Sequence, residues 1–90
     1  MAKFAAIVTF GDAEKRLETR PRHRAHLQQL LAEGKLHESG PWADDSGALI
    51  IYEAADQTEA QALLDADPYT AVDGIITDVR LLEWNRIFPA

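Results

Sequence analysis

Alternating apolar and polar runs along the chain predict four β-strands. Residues 3–10 form an apolar run, residues 48–53 are apolar on both faces of a strand, and residues 75–84 form the longest run. A short mixed segment at residues 35–39 predicts the remaining strand, which is second in chain order. Residues 42–47, rich in Asp, Ser and Gly, indicate a loop between the second and third strands.

A long helix is predicted to begin at Asp12 or Ala13 and to run to Glu33, because Gly34 is a typical residue at the end of a helix. Pro21 lies inside this span. A proline in a helix interior removes a backbone donor and clashes with the preceding turn. We therefore expect a break or kink at residues 19–21, with Thr19 as the N-cap of the second segment.

The second segment of this helix has one apolar stripe. Leu27, Leu30 and Leu31 follow helical spacing, and His23 precedes them on the same register. His23 is therefore expected on or beside the buried stripe, with His26 further round the helix.

A second helix is predicted to begin at Asp56, because Glu59 follows three residues later as in a capping box. Asp67-Pro68 ends this helix, since the residue before proline avoids helical geometry. Residues 68–73 are expected to form one short helical turn. A carboxylate at a helix C-terminus is electrostatically unfavourable, so termination alone explains Asp67 poorly.

The predicted order βαββαβ is that of a ferredoxin-like α+β fold with an antiparallel sheet, a single domain over residues 1–90. The helices of such a fold cover one face of the sheet. Residues 48–53 and 75–84 carry apolar side chains toward both faces. The uncovered apolar face requires a partner, so we expect a homodimer with the two sheets packed face to face.

Composition narrows the function classes. The chain of 90 residues is 47% hydrophobic, as expected of one globular domain, and its net charge of -6 argues against a nucleic-acid partner. It has no cysteine, which excludes disulfides and thiol catalysis and suits a cytoplasmic location. The apolar run at the N-terminus is too short for a signal peptide or a membrane span, so no membrane association is expected.

Basic residues are concentrated on the first helix, around His23. Five of the nine are Lys15, Arg16, Arg20, Arg22 and Arg24. Such a patch on an acidic protein could hold a small anion, or it could be a solvated helix face with ion pairs. We favour the solvated face for Arg22 and Arg24. Arg20 could bind a substrate carboxylate or phenolate, or pair with a nearby acid.

His23 and Asp67 are the residues whose chemistry points to catalysis. A histidine beside a carboxylate is the smallest unit that performs general base work near neutral pH. Asp67 would accept a hydrogen bond from the imidazole and fix its tautomer. The structural alternative is a partly buried histidine whose hydrogen bond serves the fold alone.

Other residues are candidates for the wall of a ligand pocket. Gly40 and Pro41 would expose backbone groups there, or would simply form a turn. Trp42 and Tyr69 would line an aromatic pocket, or would serve packing alone. The sequence has no phosphate loop, nucleophile elbow or dinucleotide fingerprint, so no cofactor is expected.

A metal site is not expected either. His23 and His26 lie three residues apart on a helix and could in principle share an ion, but no third ligand follows at a suitable spacing.

Four motifs together resemble the YCII family. In order they are Arg20-Pro21-Arg22-His23, Gly34-Lys35-Leu36, Ser39-Gly40-Pro41 and Ala66-Asp67-Pro68-Tyr69. The resemblance implies a dimeric α+β barrel of ferredoxin-like subunits, with His23 and Asp67 in the positions of a proposed catalytic dyad. One branch of the family is linked to dehydrochlorination of a chlorinated hydroxyquinol, an elimination that such a base could drive.

Three hypotheses follow. The first is an enzyme that uses the dyad for proton abstraction, with elimination or hydrolysis of a small anionic or aromatic molecule. The second is a non-catalytic homodimer that binds or senses a small ligand in the same pocket. The third is a dimerising structural module with no ligand.

Overall fold

The structure, a computed structural model that describes residues 1–89, is a four-stranded antiparallel sheet with helices. The elements are β1 (Ala2–Phe10), α1 (Ala13–Ala32), β2 (Leu36–Pro41), β3 (Gly47–Ala54), α2 (Gln57–Asp65), α3 (Pro68–Ala71) and β4 (Ile76–Trp84). The strand order is β2-β3-β1-β4, so β2 and β4 are the edges. The βαββαβ prediction is confirmed, with α3 as the short turn after α2.

The core lies between the sheet and the helices. Alternate residues of β1, Phe4, Ala6 and Val8, are buried there, and the register sets Phe4 opposite Tyr52 and Ala6 opposite Ile50 on β3. Leu27 and Leu30 of α1 and Leu64 of α2 close this core from the other side. Strand alternation thus fixes which side chains point toward α1, where the candidate residues lie.

The helix α1 continues through Pro21, so of the predicted break or kink the break is wrong, and the kink stays a prediction. The helix begins after Asp12, whose carboxylate accepts a hydrogen bond from the Lys15 backbone N–H at 3.0 Å. Thr19 is buried inside the helix and is not an N-cap. Burial of residues on both sides of the proline, from Arg16 to Leu30, compensates for the one missing backbone hydrogen bond. Continuity places both halves of α1 along the same side of the sheet.

The apolar stripe of α1 is narrower than predicted. Leu27 and Leu30 are buried, but Leu31 is 57% exposed. Leu31 follows Leu30 directly and is turned by about 100° around the helix, away from the sheet.

Gly40 and Pro41 do not form the predicted turn but complete β2, opposite Leu49 and Ala48 of β3. A proline is tolerated there because β2 is an edge strand. The turn comes later, over residues 42–46, and is closed by a hydrogen bond from the Trp42 N–H to the Gly47 carbonyl at 2.9 Å. Within it, Asp45 has a φ of 64°, in the left-handed region.

The sheet face opposite the helices carries apolar side chains, as the sequence indicated. Ala5 of β1 lies between Ile51 of β3 and Leu82 of β4. Ile51 is buried, whereas Leu82 and Trp84 remain 42% and 38% exposed. The exposed part of this face is therefore concentrated on the edge strand β4.

Candidate active site

A cavity of about 490 Å³ opens between α1, the end of β1, β2 and the β2–β3 loop. The side chains that α1 contributes are Arg16, Arg20, His23, Arg24 and Leu27. Phe10, Tyr69 and Asp45 close other parts of the wall, and β2 supplies residues 39–41. The cavity thus combines basic groups with an aromatic wall.

His23 and Asp67 are in contact, although 44 residues separate them in the sequence. The His23 Nδ1 lies 2.8 Å from Oδ1 and 3.0 Å from Oδ2 of Asp67. The Asp67 side chain is 1% exposed and the His23 side chain 13%. Since the carboxylate accepts the Nδ1–H, Nε2 is the imidazole nitrogen that remains available for proton exchange.

Asp67 also organises its own segment. It is the N-cap of α3, and its Oδ1 accepts a hydrogen bond from the Tyr69 backbone N–H at 2.9 Å. The helix α2 ends earlier, at Asp65. The predicted position of Asp67 at a helix C-terminus is therefore wrong, because a new helical turn begins there, and a carboxylate is favourable at such a start.

Aromatic rings connect the histidine to a buried arginine. The Tyr69 ring is stacked on the His23 imidazole, with centroids 3.8 Å apart. Phe10 meets Tyr69 edge to face at 5.7 Å, and the Arg16 guanidinium lies 4.5 Å from the centroid of the Phe10 ring. One wall of the cavity is thus a continuous row of flat groups.

Arg16 is the functional candidate that the sequence interpretation missed. It is 6% exposed, and its Nη1 and Nη2 donate to Oδ1 and Oδ2 of Asp45 at 3.1 and 2.7 Å. These hydrogen bonds raise the pKa of Arg16 and lower that of Asp45. The spacing of Arg16, Arg20 and His23 (i, i+4, i+7) was the available signal, because it places all three on one helix face.

Two of the other arginines of α1, Arg20 and Arg24, border the cavity. Arg20 lines the cavity, and within residues 1–89 no carboxylate lies within 4.0 Å of its guanidinium. This arrangement supports the substrate-binding alternative for Arg20. Arg24 is exposed, as expected of a solvated helix face, and it also borders the cavity. Its position one turn after Arg20 keeps it on the cavity side.

The remaining predicted wall residues are mostly in place. Gly40, Pro41 and Tyr69 line the cavity. Trp42 is not among the described residues that line it, so its predicted place is wrong. The Trp42 ring lies beside Gly47 at the base of the turn and is 41% exposed. Because Pro41 is the last residue of β2, Trp42 belongs to the turn and not to the cavity wall.

The structure also describes the surroundings of the other histidines. The His26 Nε2–H donates to the Leu63 carbonyl at 3.4 Å, and His37 lies 3.7 Å from Glu53. Among residues 1–89, no three His, Asp or Glu side chains are grouped as metal ligands. No helix in this part of the chain has the length and apolar character needed to span a membrane.

Comparison with known proteins identifies the family. A family model described as the YCII-related domain matches residues 2–85. The chain belongs to the YCII family. It is 38% identical to Protein YciI of Escherichia coli and to Protein YciI of Shigella flexneri, in each case over 83% of this chain and 86% of the relative.

Two solved structures share the fold. A 5-chloro-2-hydroxyhydroquinone dehydrochlorinase from Burkholderia phenoliruptrix, in complex with 2,5-dihydroxybenzoquinone, superposes with a TM-score of 0.77 at 23% identity, covering 92% of this chain and 93% of its own. A putative antibiotic biosynthesis monooxygenase from Nitrosomonas europaea gives a TM-score of 0.61 at 15% identity, covering 97% and 91%. At these identities the likeness establishes the ferredoxin-like α+β fold.

Proposed function

We propose that this protein is a cytoplasmic, homodimeric enzyme that abstracts a proton from a small anionic or aromatic molecule and so drives elimination or hydrolysis. The observation that carries the proposal is the contact between His23 and Asp67 at the wall of a cavity. A buried carboxylate that holds the imidazole by Nδ1 leaves Nε2 ready to accept a proton.

In the elimination, the His23 Nε2 removes a proton from a substrate hydroxyl that is conjugated with the tetrahedral carbon bearing the leaving group, as in the keto tautomer of a chlorinated hydroquinone. The electrons of that O–H bond form a carbon–oxygen double bond, the ring double bond shifts toward the tetrahedral carbon, and chloride departs with its own bonding pair. Asp67 stabilises the imidazolium that results. In a hydrolysis, the same nitrogen would take the proton of an attacking water. The dehydrochlorinase of similar fold makes elimination the first reaction to test.

The surroundings of the dyad favour an anionic, flat substrate. Arg20 offers a guanidinium with no described carboxylate partner, and Phe10 and Tyr69 offer ring surfaces. Arginine binds carboxylates and phenolates through paired N–H donors. An aromatic molecule with an acidic substituent satisfies both parts of this wall.

A homodimer would cover the sheet face that the helices leave open. Leu82 and Trp84 on that face are partly exposed, although the neighbouring Ile51 is buried. Covering such side chains with a second sheet removes apolar surface from water. The absence of cysteine in the sequence supports the cytoplasmic location.

The test is release of chloride from 5-chloro-2-hydroxyhydroquinone and related chlorinated phenols. Turnover by the native chain should fall by at least about hundredfold in His23→Gln, the usual scale for loss of a general base. His26→Gln is the matched control, since His26 lies on the same helix outside the cavity lining, and it should retain turnover. If His23→Gln turned over the substrate as fast as the native chain, His23 would not be the general base. Saturable binding without turnover of any trial substrate would favour the ligand-binding alternative.

A further inference from the structure

The Arg16–Asp45 pair is asymmetric. The Arg16 side chain is 8% exposed, whereas that of Asp45 is 52% exposed. The Arg16 Nε is buried and has no hydrogen-bond partner, although both terminal nitrogens are bound to Asp45. The Arg16 guanidinium is therefore buried in the protein, whereas the Asp45 carboxylate belongs to an exposed turn.

Asp45 binds Arg16 through a carboxylate, which is also the group through which an acidic ligand would bind it. Two parallel N–H···O bonds between a guanidinium and a carboxylate are the usual geometry of acid recognition by arginine. Both residues line the cavity, and the guanidinium carbon of Arg16 lies over the Phe10 ring, 4.5 Å from its centroid. This cation–π contact holds the guanidinium in addition to its two hydrogen bonds to Asp45.

We propose that Arg16 is a second acid-binding group of this cavity, besides Arg20, and that Asp45 occupies it as an internal substitute for the carboxylate of a planar ligand. This inference rests on the proposed function to the extent that the cavity holds a small molecule. On binding, the ligand carboxylate takes the place of Asp45, and the Asp45 side chain moves into solvent with its turn.

The distance between Arg16 and His23 along α1 limits the size of a ligand that contacts both. Arg16 and His23 are seven residues apart, which corresponds to about 10 Å along the helix axis. Both side chains reach into the space between them, so a molecule that contacts both needs the length of one substituted ring. Phe10 and Tyr69 form the wall between the two ends. The ligand class is thus a monocyclic acid, with its carboxylate at Arg16 and the group that gives up its proton near the His23 Nε2.

Charge balance agrees with displacement of Asp45. The charged side chains at the cavity wall are Arg16, Arg20 and Arg24 against Asp45. With Asp45 in place, the wall still has an excess of positive charge, although the chain as a whole is acidic. A ligand carboxylate therefore finds a local positive field, and its exchange with Asp45 leaves Arg16 paired throughout.

Benzoate and its neutral isostere benzamide are suitable probes. Their dissociation constants are measured by chemical-shift titration of the native chain, Asp45→Asn and Asp44→Asn. If Asp45 occupies Arg16 in about nine-tenths of the molecules, its removal tightens benzoate binding by about tenfold. Benzamide binding should stay unchanged. Asp44→Asn is the matched control, because it removes the same charge from the adjacent residue, which bonds to Ser46 and not to Arg16.

When Arg16→Gln is added to the Asp45→Asn variant, benzoate binding should weaken by at least about tenfold. Arg22→Gln added to the same variant should leave benzoate binding unchanged, because Arg22 lies on the same helix but outside the cavity lining. Arg16→Lys keeps the charge without the paired donors and should recover only part of the affinity. If Arg16→Gln fails to fold, the comparison of Asp45→Asn with Asp44→Asn still decides.

Three outcomes would overturn the inference. They are unchanged or weaker benzoate binding in Asp45→Asn, equal tightening of benzoate binding in Asp44→Asn, and no benzoate binding in either the native chain or Asp45→Asn. The first outcome would identify the Arg16–Asp45 pair as a fixed link between the turn and α1. Failure of the proposed reaction is distinguishable, because His23→Gln should bind benzoate normally. Intact benzoate binding without turnover of any chlorinated phenol would reject the base and retain the acid site.

Discussion

The His23 imidazole and the Tyr69 ring are stacked face to face, with an interplanar angle of 3°. The hydrogen bond to Asp67 fixes the direction of Nδ1, but the bond alone leaves the ring free to tilt about it. The stack removes that freedom, because tilting would separate the two rings. Asp67 and Tyr69 therefore constrain different motions of the same side chain.

Replacing Tyr69 tests this constraint without a substrate. Tyr69→Phe keeps the stacked ring and should leave the chemical shifts of the His23 ring protons nearly unchanged. Tyr69→Leu removes the ring current, so those signals should move downfield, and turnover should fall because the imidazole is less well oriented. The measurement is an aromatic proton spectrum with the His23→Gln spectrum for assignment. Identical spectra for the two variants would contradict the stack.

Asp67→Asn should change the tautomer of His23. The asparagine amide can donate to Nδ1, which would place the proton on Nε2 and remove the free nitrogen that proton abstraction needs. We expect turnover to fall by about 10²- to 10⁴-fold, with a new Nε2–H signal in nitrogen-15 spectra. Asp65→Asn, an exposed neighbour, is the control and should change neither. An unchanged tautomer would show that Asp67 does not orient the imidazole.

The Arg16–Asp45 pair predicts part of the acid sensitivity of the fold. Arg16 lowers the pKa of Asp45 in the folded protein. A lowered folded-state pKa contributes stability that is present above the ordinary aspartate pKa and is lost as pH falls through the folded-state value. The free energy of unfolding of the native chain should therefore exceed that of Asp45→Asn at neutral pH.

This difference should begin to shrink as the pH falls below the ordinary aspartate pKa of about 4, and it should be lost once the pH has fallen through the lower folded-state pKa of Asp45. Urea denaturation at a series of pH values measures it. A difference that is constant with pH would mean that the Asp45→Asn substitution changes the turn in some other way, and Asp44→Asn serves as the comparison.

Pro21→Ala should stabilise the protein. The helix is continuous at this exposed position, so the missing backbone hydrogen bond lowers the stability of the folded state. Alanine restores the donor, while it also frees the unfolded chain, so we expect a net gain of about 1–2 kcal/mol. Chemical denaturation measures the gain, with Arg22→Ala as the neighbouring control. A loss of stability would show that the proline sets a helix geometry that the packing of Arg16 and Leu27 requires.

The sequence was sufficient for the fold because each helix and strand depends on local signals. The Asp56 cap, the Asp67-Pro68 boundary and the apolar strands each determine their own segment. Resemblance to a family then joined His23 to Asp67, which no local pattern could do across 44 residues.

The errors concern residues whose surroundings come from distant segments. Arg16 belongs to a basic cluster that is typical of a solvated face, and only the end of β1 and the turn after β2 bury it. Pro41 is a usual turn residue, but the edge position of β2 permits it in a strand. Pro21 predicts a break when its helix is considered alone, and packing against the sheet overrides that preference.

Asp67 has a structural role in the fold, in addition to its contact with His23. It starts α3 through the Tyr69 N–H and fills a fully buried position, so the fold itself benefits from it whether or not any reaction occurs. His23 is more exposed and faces the cavity. Under the proposed function, selection for folding alone would preserve the Asp-Pro motif, whereas only selection for chemistry would preserve the histidine. The proposal therefore predicts that the histidine, and not the aspartate, distinguishes active from inactive members of the family.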